Sequence, residues 1–471
     1  MQWVFRSLSP GALLVVAGCM VGPDYTPPDL ATPEAFQEAP ETAEVDPAAE
    51  LAAWWTRFGD PRLTEFVDRA ARSNLDFRIA EARVREAQAL RGVAAAQLWP
   101  QADAVGEARF GTATQASGGG GGPTGQRFLG ALDALWEIDV FGGVRRSVEA
   151  AEADVQVSIE ERRALLLALV GEVAATYVDL RGFQGRVETV QRNLAAQQET
   201  RDLTEARLRV GLASDLDVER ARAAVAVTAA ELPPLRTAVK ATSHRLGVLL
   251  GQEPESLIGT LRDPGPIPKA PRNVVVGVPA ELLRRRPDLR GAERELAAAT
   301  ARIGEATADL YPKFSLTGSV GFRSDDVQEF LQGDFAAIGP TMVWPIFAGG
   351  RIVSNIEVQD ARQEQALARY QQALLRALEE VENSLVRYAE EQVRRRELSS
   401  AVAANREAAE MARLLHANGL IEFLDVLAAE RAQLETETRL VESETAVSTS
   451  LVDLYVALGG GWERAEEIAL Q

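Results

Sequence analysis

Two hydrophobic periods alternate along this chain. Residues 143–209 form a run rich in Ala, Leu, Val, Arg and Glu, in which Leu165, Leu169, Val173, Tyr177, Leu180, Val187 and Leu194 recur at spacings of three, four and seven. Residues 350–417 repeat the pattern through Leu374, Leu378, Val381, Leu385 and Tyr388. Such spacing lines one face of a helix, and each run reaches roughly 100 Å if continuous at ~1.5 Å per residue. Periodic patterns this long point to coiled coils or helical repeats. Elsewhere the period falls to two. From Phe128 to Val140 the even positions are apolar or small, while Asp133, Glu137 and Asp139 are odd; Phe314, Leu316, Val320 and Phe322 alternate with Lys313, Ser315, Thr317, Ser319 and Arg323, and Ile338, Met342, Trp344 and Ile346 continue less cleanly. Strands with one apolar and one polar face are expected there. The alternation suits a soluble antiparallel sheet on a protein core, and it also suits membrane-barrel strands of roughly ten residues. Four strands are too few to close a pore-sized barrel, so a membrane reading requires several subunits.

The chain nearly repeats itself. Asp76-Phe77-Arg78-Ile79-Ala80-Glu81 matches Asp288-Leu289-Arg290-Gly291-Ala292-Glu293, and Leu98-Trp99-Pro100 matches Leu310-Tyr311-Pro312. Phe141-Gly142-Gly143-Val144-Arg145 then pairs with Phe347-Ala348-Gly349-Gly350-Arg351, Gly211-Leu212 with Gly419-Leu420, and Leu250-Gly251 with Leu458-Gly459. A period this long is no solenoid unit; it indicates a duplicated half. The helical lengths agree with that. Residues 214–250 and 280–309, separated by a break rich in Pro (Pro254, Pro264, Pro266, Pro268, Pro271), together match the outgoing run in length, as residues 421–458 and 74–97 nearly do in the other half. Two long helical hairpins, each capped by a strand pair, are therefore expected.

Composition narrows the chemistry. Hydrophobic residues make up 46% of the chain but aromatics only 6%, which favours long helices over one large mixed core. A net charge of −19 removes the basic surface that nucleic acid requires. One cysteine and two histidines leave no intrachain disulfide and no Cys/His zinc site. No metal site, cofactor or catalytic constellation is read, and the protein is not expected to be an enzyme. The lone cysteine is informative by position: residues 1–18 read as a secretory signal, and Val16-Ala17-Gly18 before Cys19 look like the cleavage box at which the cysteine becomes lipidated, although an ordinary signal with an incidental cysteine is the alternative. Met20 at the next position favours outer-membrane sorting.

Several marks run in order through the mature chain: Gly22-Pro23-Asp24-Tyr25, Trp54-Trp55 with Phe58, Asp60-Pro61, Trp136-Glu137-Ile138-Asp139 with Phe141-Gly142, Arg285-Arg286-Pro287-Asp288-Leu289, Tyr311-Pro312 and Pro345-Ile346-Phe347. In these the chain resembles the TolC-like outer membrane efflux proteins, in particular their OprM-like or NodT-type lipoproteins. The resemblance implies a mainly α protein with a membrane β-barrel. In it, antiparallel coiled-coil hairpins build a trimeric α-barrel and four strands per subunit share a 12-stranded barrel. It further implies a homotrimer anchored in outer-membrane lipid through Cys19, with a periplasmic adaptor and an inner-membrane pump of the RND type as partners and passive passage of substrate. The contrasting reading is a periplasmic coiled-coil scaffold lipoprotein without a pore.

The expected organisation is a signal (1–18), a lipidated tether (19–53), a first repeat (54–250) with strands at about 99–113 and 127–141, a Pro-rich equatorial linker (251–279), a second repeat (280–458) with strands at about 312–324 and 335–347, and a tail (459–471). By the resemblance, Val210, Gly211, Leu212 and Ala213, with Asn418, Gly419, Leu420 and Ile421, are adaptor-binding tips; plain turn chemistry, with Ser214 capping the next helix, is compatible with the same residues. Asp215, Asp217 and Asp425 are periplasmic gate candidates, since an inward Asp recurs as a ring in a trimer, although helix-start Asp residues usually only offset the dipole. Asp425 aligns with a family gate carboxylate. Ala428 and Ile421 stand where some relatives carry a second Asp and a gate Arg. Gly118 to Gly122 are read as a mobile extracellular loop, His416 as a solvated polar residue with a pH-sensitive role as the alternative, and Arg284-Arg285-Arg286 and Arg394-Arg395-Arg396 as solvated helix faces forming ion pairs.

Overall fold

The computed structural model describes residues 20–37, 51–111, 125–269 and 278–470. The signal, Cys19, the tether beyond Gln37 up to residue 50, the Gly118 to Gly122 loop and residues 270–277 of the linker lie outside the described residues. After a short 3-10 turn at Trp54–Phe58 come α1 (Pro61–Ser73), α2 (Leu75–Ala96), β1 (Gln101–Gly111), β2 (Gly125–Ile138), α3 (Gly143–Arg209), α4 (Asp215–Ala230) and α5 (Leu232–Leu249). The second half holds α6 (Pro279–Arg285), α7 (Pro287–Ala308), β3 (Lys313–Ser324), β4 (Asp334–Val343), α8 (Arg351–Ala417), α9 (Phe423–Ala457) and α10 (Trp462–Ala469). Helices α3 and α8 are each unbroken for 67 residues. No described helix is long and apolar enough to cross a membrane.

Local chemistry accounts for several departures from the sequence reading. The expected single return helix to Leu250 is broken at Glu231, where Pro233 and Pro234 open a new helix, because proline suits only a helix's first turn. The helix expected from Pro279 to Asp309 is likewise split at Arg286, whose backbone turns extended (ψ 116°) ahead of Pro287. The strand expected at 335–347 ends at Val343, short of Pro345. The connection before it contains a 3-10 turn, Val327–Gln332. The expected tail is helix α10, with Trp462, Ala465 and Ile468 buried.

The chain divides into two compact units, and neither coincides with a repeat. The first comprises Met1–Asp29, Arg83–Ser158 and Gly291–Tyr370. Its sheet is an antiparallel meander in the order β1-β2-β3-β4. The pairings Ala104↔Leu132, Leu132↔Val320 and Val320↔Ala336 keep even residues opposite even ones, so all four strands share the same two faces. The even face carries Leu132, Trp136, Leu316, Val320, Ile338 and Met342; the odd face carries Asp103, Arg109, Arg127, Asp133, Glu137, Thr317 and Ser319. The duplication is visible in hydrogen bonds: Trp136 Nε1 donates to the Leu98 carbonyl at 2.9 Å, and Trp344 Nε1 to that of Leu310 at 3.0 Å. The segment from Met20 is held by Arg146, buried and donating to the Asp24 carboxylate (2.6 Å) and the carbonyls of Val21 and Gly22. Tyr25 donates to Glu293 at 2.8 Å.

The second unit comprises Leu30–Ala82, Ile159–Arg290 and Gln371–Gln471. Trp54 is fully buried, stacks on Tyr455 with centroids 5.2 Å apart, and donates to the Gly460 carbonyl. Trp462 lies beneath two guanidinium groups, Arg163 at 4.9 Å and Arg290 at 5.6 Å. Arg286 was expected on a solvated face in ion pairs; the pairs form, with Asp288 and Glu380, but the face is not solvated. Arg286 is buried, donating to Asp288, Glu380 and the Ala457 carbonyl. Its charge is matched by two carboxylates, as burial of an arginine demands.

Candidate functional site: the hairpin tips and the sheet

Both tips lie in the second unit and close in the same way. At the end of α3, Gly211 (φ +77°) donates to the Leu208 carbonyl at 2.9 Å, and Leu212 donates back to Arg207 at 2.8 Å. At the end of α8, Gly419 (φ +73°) donates to His416 and Leu420 to Leu415, each at 2.9 Å. These are two Schellman caps, whose left-handed residue favours glycine. A Cβ built on either glycine would meet nothing within 4 Å, so the backbone conformation, not crowding, accounts for glycine there. Val210, Leu212 and Leu420 are exposed, each by two thirds or more. Asn418 Nδ2 donates to the Leu414 carbonyl at 2.8 Å.

The next helices begin with capping boxes. Ser214 Oγ accepts from the Asp217 amide at 3.2 Å, and Asp217 Oδ2 accepts from the Ser214 amide at 3.1 Å. In the second hairpin Glu422 is the cap and Asp425 Oδ2 accepts from its amide at 3.3 Å. Two of the three gate candidates therefore have a structural task, while Asp215 lies exposed on the first turn of α4. The hydroxyl and amide of Ser214 outweigh partial burial and hold the Asp217 carboxyl below its usual range; the hydroxyl bond is the largest influence. Ile421 is half-buried and Ala428 exposed.

His416 is not merely solvated. Its Nδ1 lies 3.2 Å from the Ile421 carbonyl, its ring packs 5.6 Å from that of Phe423, and its own carbonyl accepts from Arg207 Nη1 at 2.6 Å. The Arg207 bond ties the first tip to the second.

Above the tips runs a feature absent from the sequence reading. Glu430 and Glu437, seven residues apart on α9, are buried. Glu430 accepts from Thr200 of α3 and Arg413 of α8, both at 2.8 Å. Glu437 accepts from Asn193 of α3 at 2.9 Å and Arg406 of α8 at 2.7 Å. Each rung thus joins three helices, and its members all recur at a separation of seven. That shared heptad spacing was the available signal. Burial opposes the charge of Glu437, but bonds from Arg406, Asn193 and Gln433 outweigh it, so its carboxyl titrates below the ordinary range.

In the first unit, the sheet's apolar face has little cover among the described residues: Ile338 is 80% exposed and Leu132 58%. At the β3–β4 connection Phe330 packs onto it, against Phe322 and Gly130. A sheet that leaves its apolar face open and its polar face charged is unlike one lying on a protein core.

The profile of the outer membrane efflux protein family matches residues 66–252 and 278–460, one segment to each repeat. The chain belongs to this family. Among relatives of the efflux protein, nodulation protein T of Rhizobium leguminosarum bv. viciae is 33% identical across 97% of this chain and 94% of its own length. Outer membrane protein OprJ of Pseudomonas aeruginosa is 30% identical over 97% and 96%, and the cation efflux system protein CusC of Escherichia coli O6:H1 is 27% identical over 96% and 97%. Among solved structures, the outer-membrane channel OprN superposes with a TM-score of 0.85 at 36% identity, covering 94% of this chain and all of that one. The open state of the Neisseria gonorrhoeae MtrE outer membrane channel gives 0.81 at 26%, covering 95% and 99%. The efflux protein is thus similar, nearly end to end, to outer membrane channels, and it shares their mainly helical fold with a small antiparallel sheet.

Proposed function

We propose that this efflux protein is one subunit of a passive exit duct in the outer membrane. Three copies would place twelve strands side by side and close a barrel, with the even face toward lipid and the odd face lining the lumen; the hairpins would continue it as an α-barrel into the periplasm. The observation that carries this reading is the sheet: four strands in one register, an exposed apolar face, a charged opposite face, and too few strands to close alone. A scaffold without a pore has no use for such a sheet. The exposed apolar tips, with their glycine caps, suit contact with an adaptor that delivers substrate from an inner-membrane pump, and Cys19 supplies a lipid anchor. Asp215, Asp217 and Asp425 would ring the entrance, where the Arg207–His416 bond and tip packing help hold it shut. OprN and MtrE, to which the chain is similar, are outer membrane channels.

The test is biochemical. The full lipidated protein, extracted in detergent, should run as a heat-modifiable trimer and conduct in planar bilayers. A chain that is released without detergent, or a folded trimer that never conducts, would end the duct reading.

A further inference from the structure

The odd face of the sheet carries a charge arrangement that a passive duct does not require. In the β1–β2 register Arg109 stands opposite Arg127, and Asp103 stands opposite Asp133. Like charges set directly across a strand pair weaken it, and here the weakening occurs twice in one hairpin whose faces the apolar residues already define. Arg323 stands opposite Leu129, two residues along β2 from Arg127 and on the same face. All three arginines are exposed and lie at the end of the sheet remote from the helices. Glu107 pairs with Arg109, and the Arg323 guanidinium rests 5.0 Å from the centroid of Phe335. Asp103 and Asp133 lie six residues further in, ~20 Å at 3.3 Å per residue. In the β3–β4 connection, which carries Asp325, Asp326 and Glu329, Phe330 packs on the opposite face.

We propose that Arg109, Arg127 and Arg323 form an anion-binding collar at the outer mouth of the lumen, set in series with the carboxylate row deeper in. The proposal rests on the duct reading, since only a closed trimer brings three such clusters around one opening. Rings of like-charged side chains select ions by sign, and a charged opening with low-dielectric walls concentrates its counter-ions. Each subunit contributes three guanidinium groups on this face, of which Arg109 is paired with Glu107. Guanidinium forks suit phosphate and carboxylate oxygens, so the ligands are small inorganic or organic anions carrying those groups. Positive at the mouth and negative within, the lumen is electrically asymmetric along its axis, and its current should depend on the sign of the voltage.

The experiment uses the full lipidated trimer in planar bilayers under a KCl gradient, with inorganic phosphate as the probe. Phosphate added on the loop side should lower wild-type conductance. The variant carrying Arg109→Gln, Arg127→Gln and Arg323→Gln together should lose that block, lose rectification, and shift its reversal potential toward cation selectivity, whereas Arg127→Lys should retain the block. A wild type indifferent to phosphate, or a triple variant with unchanged block and reversal potential, would overturn the collar. If the triple variant does not assemble, Arg109→Gln and Arg127→Gln singly must each weaken the block, and failure of both overturns it equally. Conduction without a collar effect leaves the duct reading intact; a folded trimer without conduction removes both.

Discussion

Replacing Glu437 tests whether the buried rungs hold the three helices of the second unit together. In Glu437→Ala, Arg406 loses its acid, and Asn193 Nδ2 keeps only its bond to the Thr189 carbonyl at 2.9 Å. Breaking a fully buried ion pair costs ~3–5 kcal/mol. That range is an upper bound here, because the Arg406 side chain is 53% exposed and water can take it up. Hydrogen bonds to a charged group contribute ~1.5–3 kcal/mol, so the expected loss is about 3 kcal/mol for Ala and ~1.5 kcal/mol for the isosteric Gln. The assay is amide hydrogen exchange along α9 in the detergent-solubilised protein. A loss of about 3 kcal/mol corresponds to exchange faster by roughly a hundredfold around residue 437, with α1 as an unaffected internal control. Acidity supplies a second readout. The folded carboxyl titrates below its ordinary value, so its stabilising contribution is complete above an unfolded pKa of ~4.3 and is lost as pH falls through the lower folded value. Wild-type protection should therefore decline in acid, and Glu437→Gln should lack that part of the decline. Exchange unchanged in Glu437→Ala, or an additive double-mutant cycle with Arg406→Ala, would refute the reasoning.

Other predictions concern the tips and the packed end of the second unit. Gly211→Leu or Gly419→Leu places a side chain at positive φ, costing roughly 1–2 kcal/mol locally; the trimer should still form on heat-modifiability gels while adaptor cross-linking fails, and loss of the trimer would reduce both glycines to architecture. Asp425→Asn weakens a capping box by about 1 kcal/mol and removes charge at the proposed entrance. Cation conductance in bilayers should fall, and unchanged conductance would remove Asp425 from the gate. Trp462→Ala strips a ring from beneath Arg163 and Arg290, and a loss of about 3–5 kcal/mol should appear as a lower unfolding midpoint.

Much of the architecture was legible because it is periodic. Long helices announce themselves by apolar spacing alone, and the matched pairs from Leu98 and Leu310 onward reveal the duplication before any coordinate is known. The breaks at Glu231 and Arg286 were also open to reading, since Pro233, Pro234 and Pro287 act locally. The tips were legible as glycine turns, because a cap depends on only a few consecutive residues. The rungs were harder. Glu430 and Glu437 resemble any surface acids of a polar helix until α3 and α8 bring Thr200, Asn193, Arg413 and Arg406 to them. The burial of Arg286 and the contacts of His416 lie beyond local sequence for the same reason, since it is silent about which carboxylate or carbonyl lies across the gap.

The sequence by itself therefore determined the helices, the strands, their repetition and the two apolar faces, all of which follow from contacts within a few residues. Tertiary structure alone decided the strand register, and with it the juxtaposition of Arg109 with Arg127 and Asp103 with Asp133. It also decided which acids are buried and which helix ends share a bond. Those depend on residues far apart in the chain, and a shift of one position in pairing would turn every side chain of a strand to the other face.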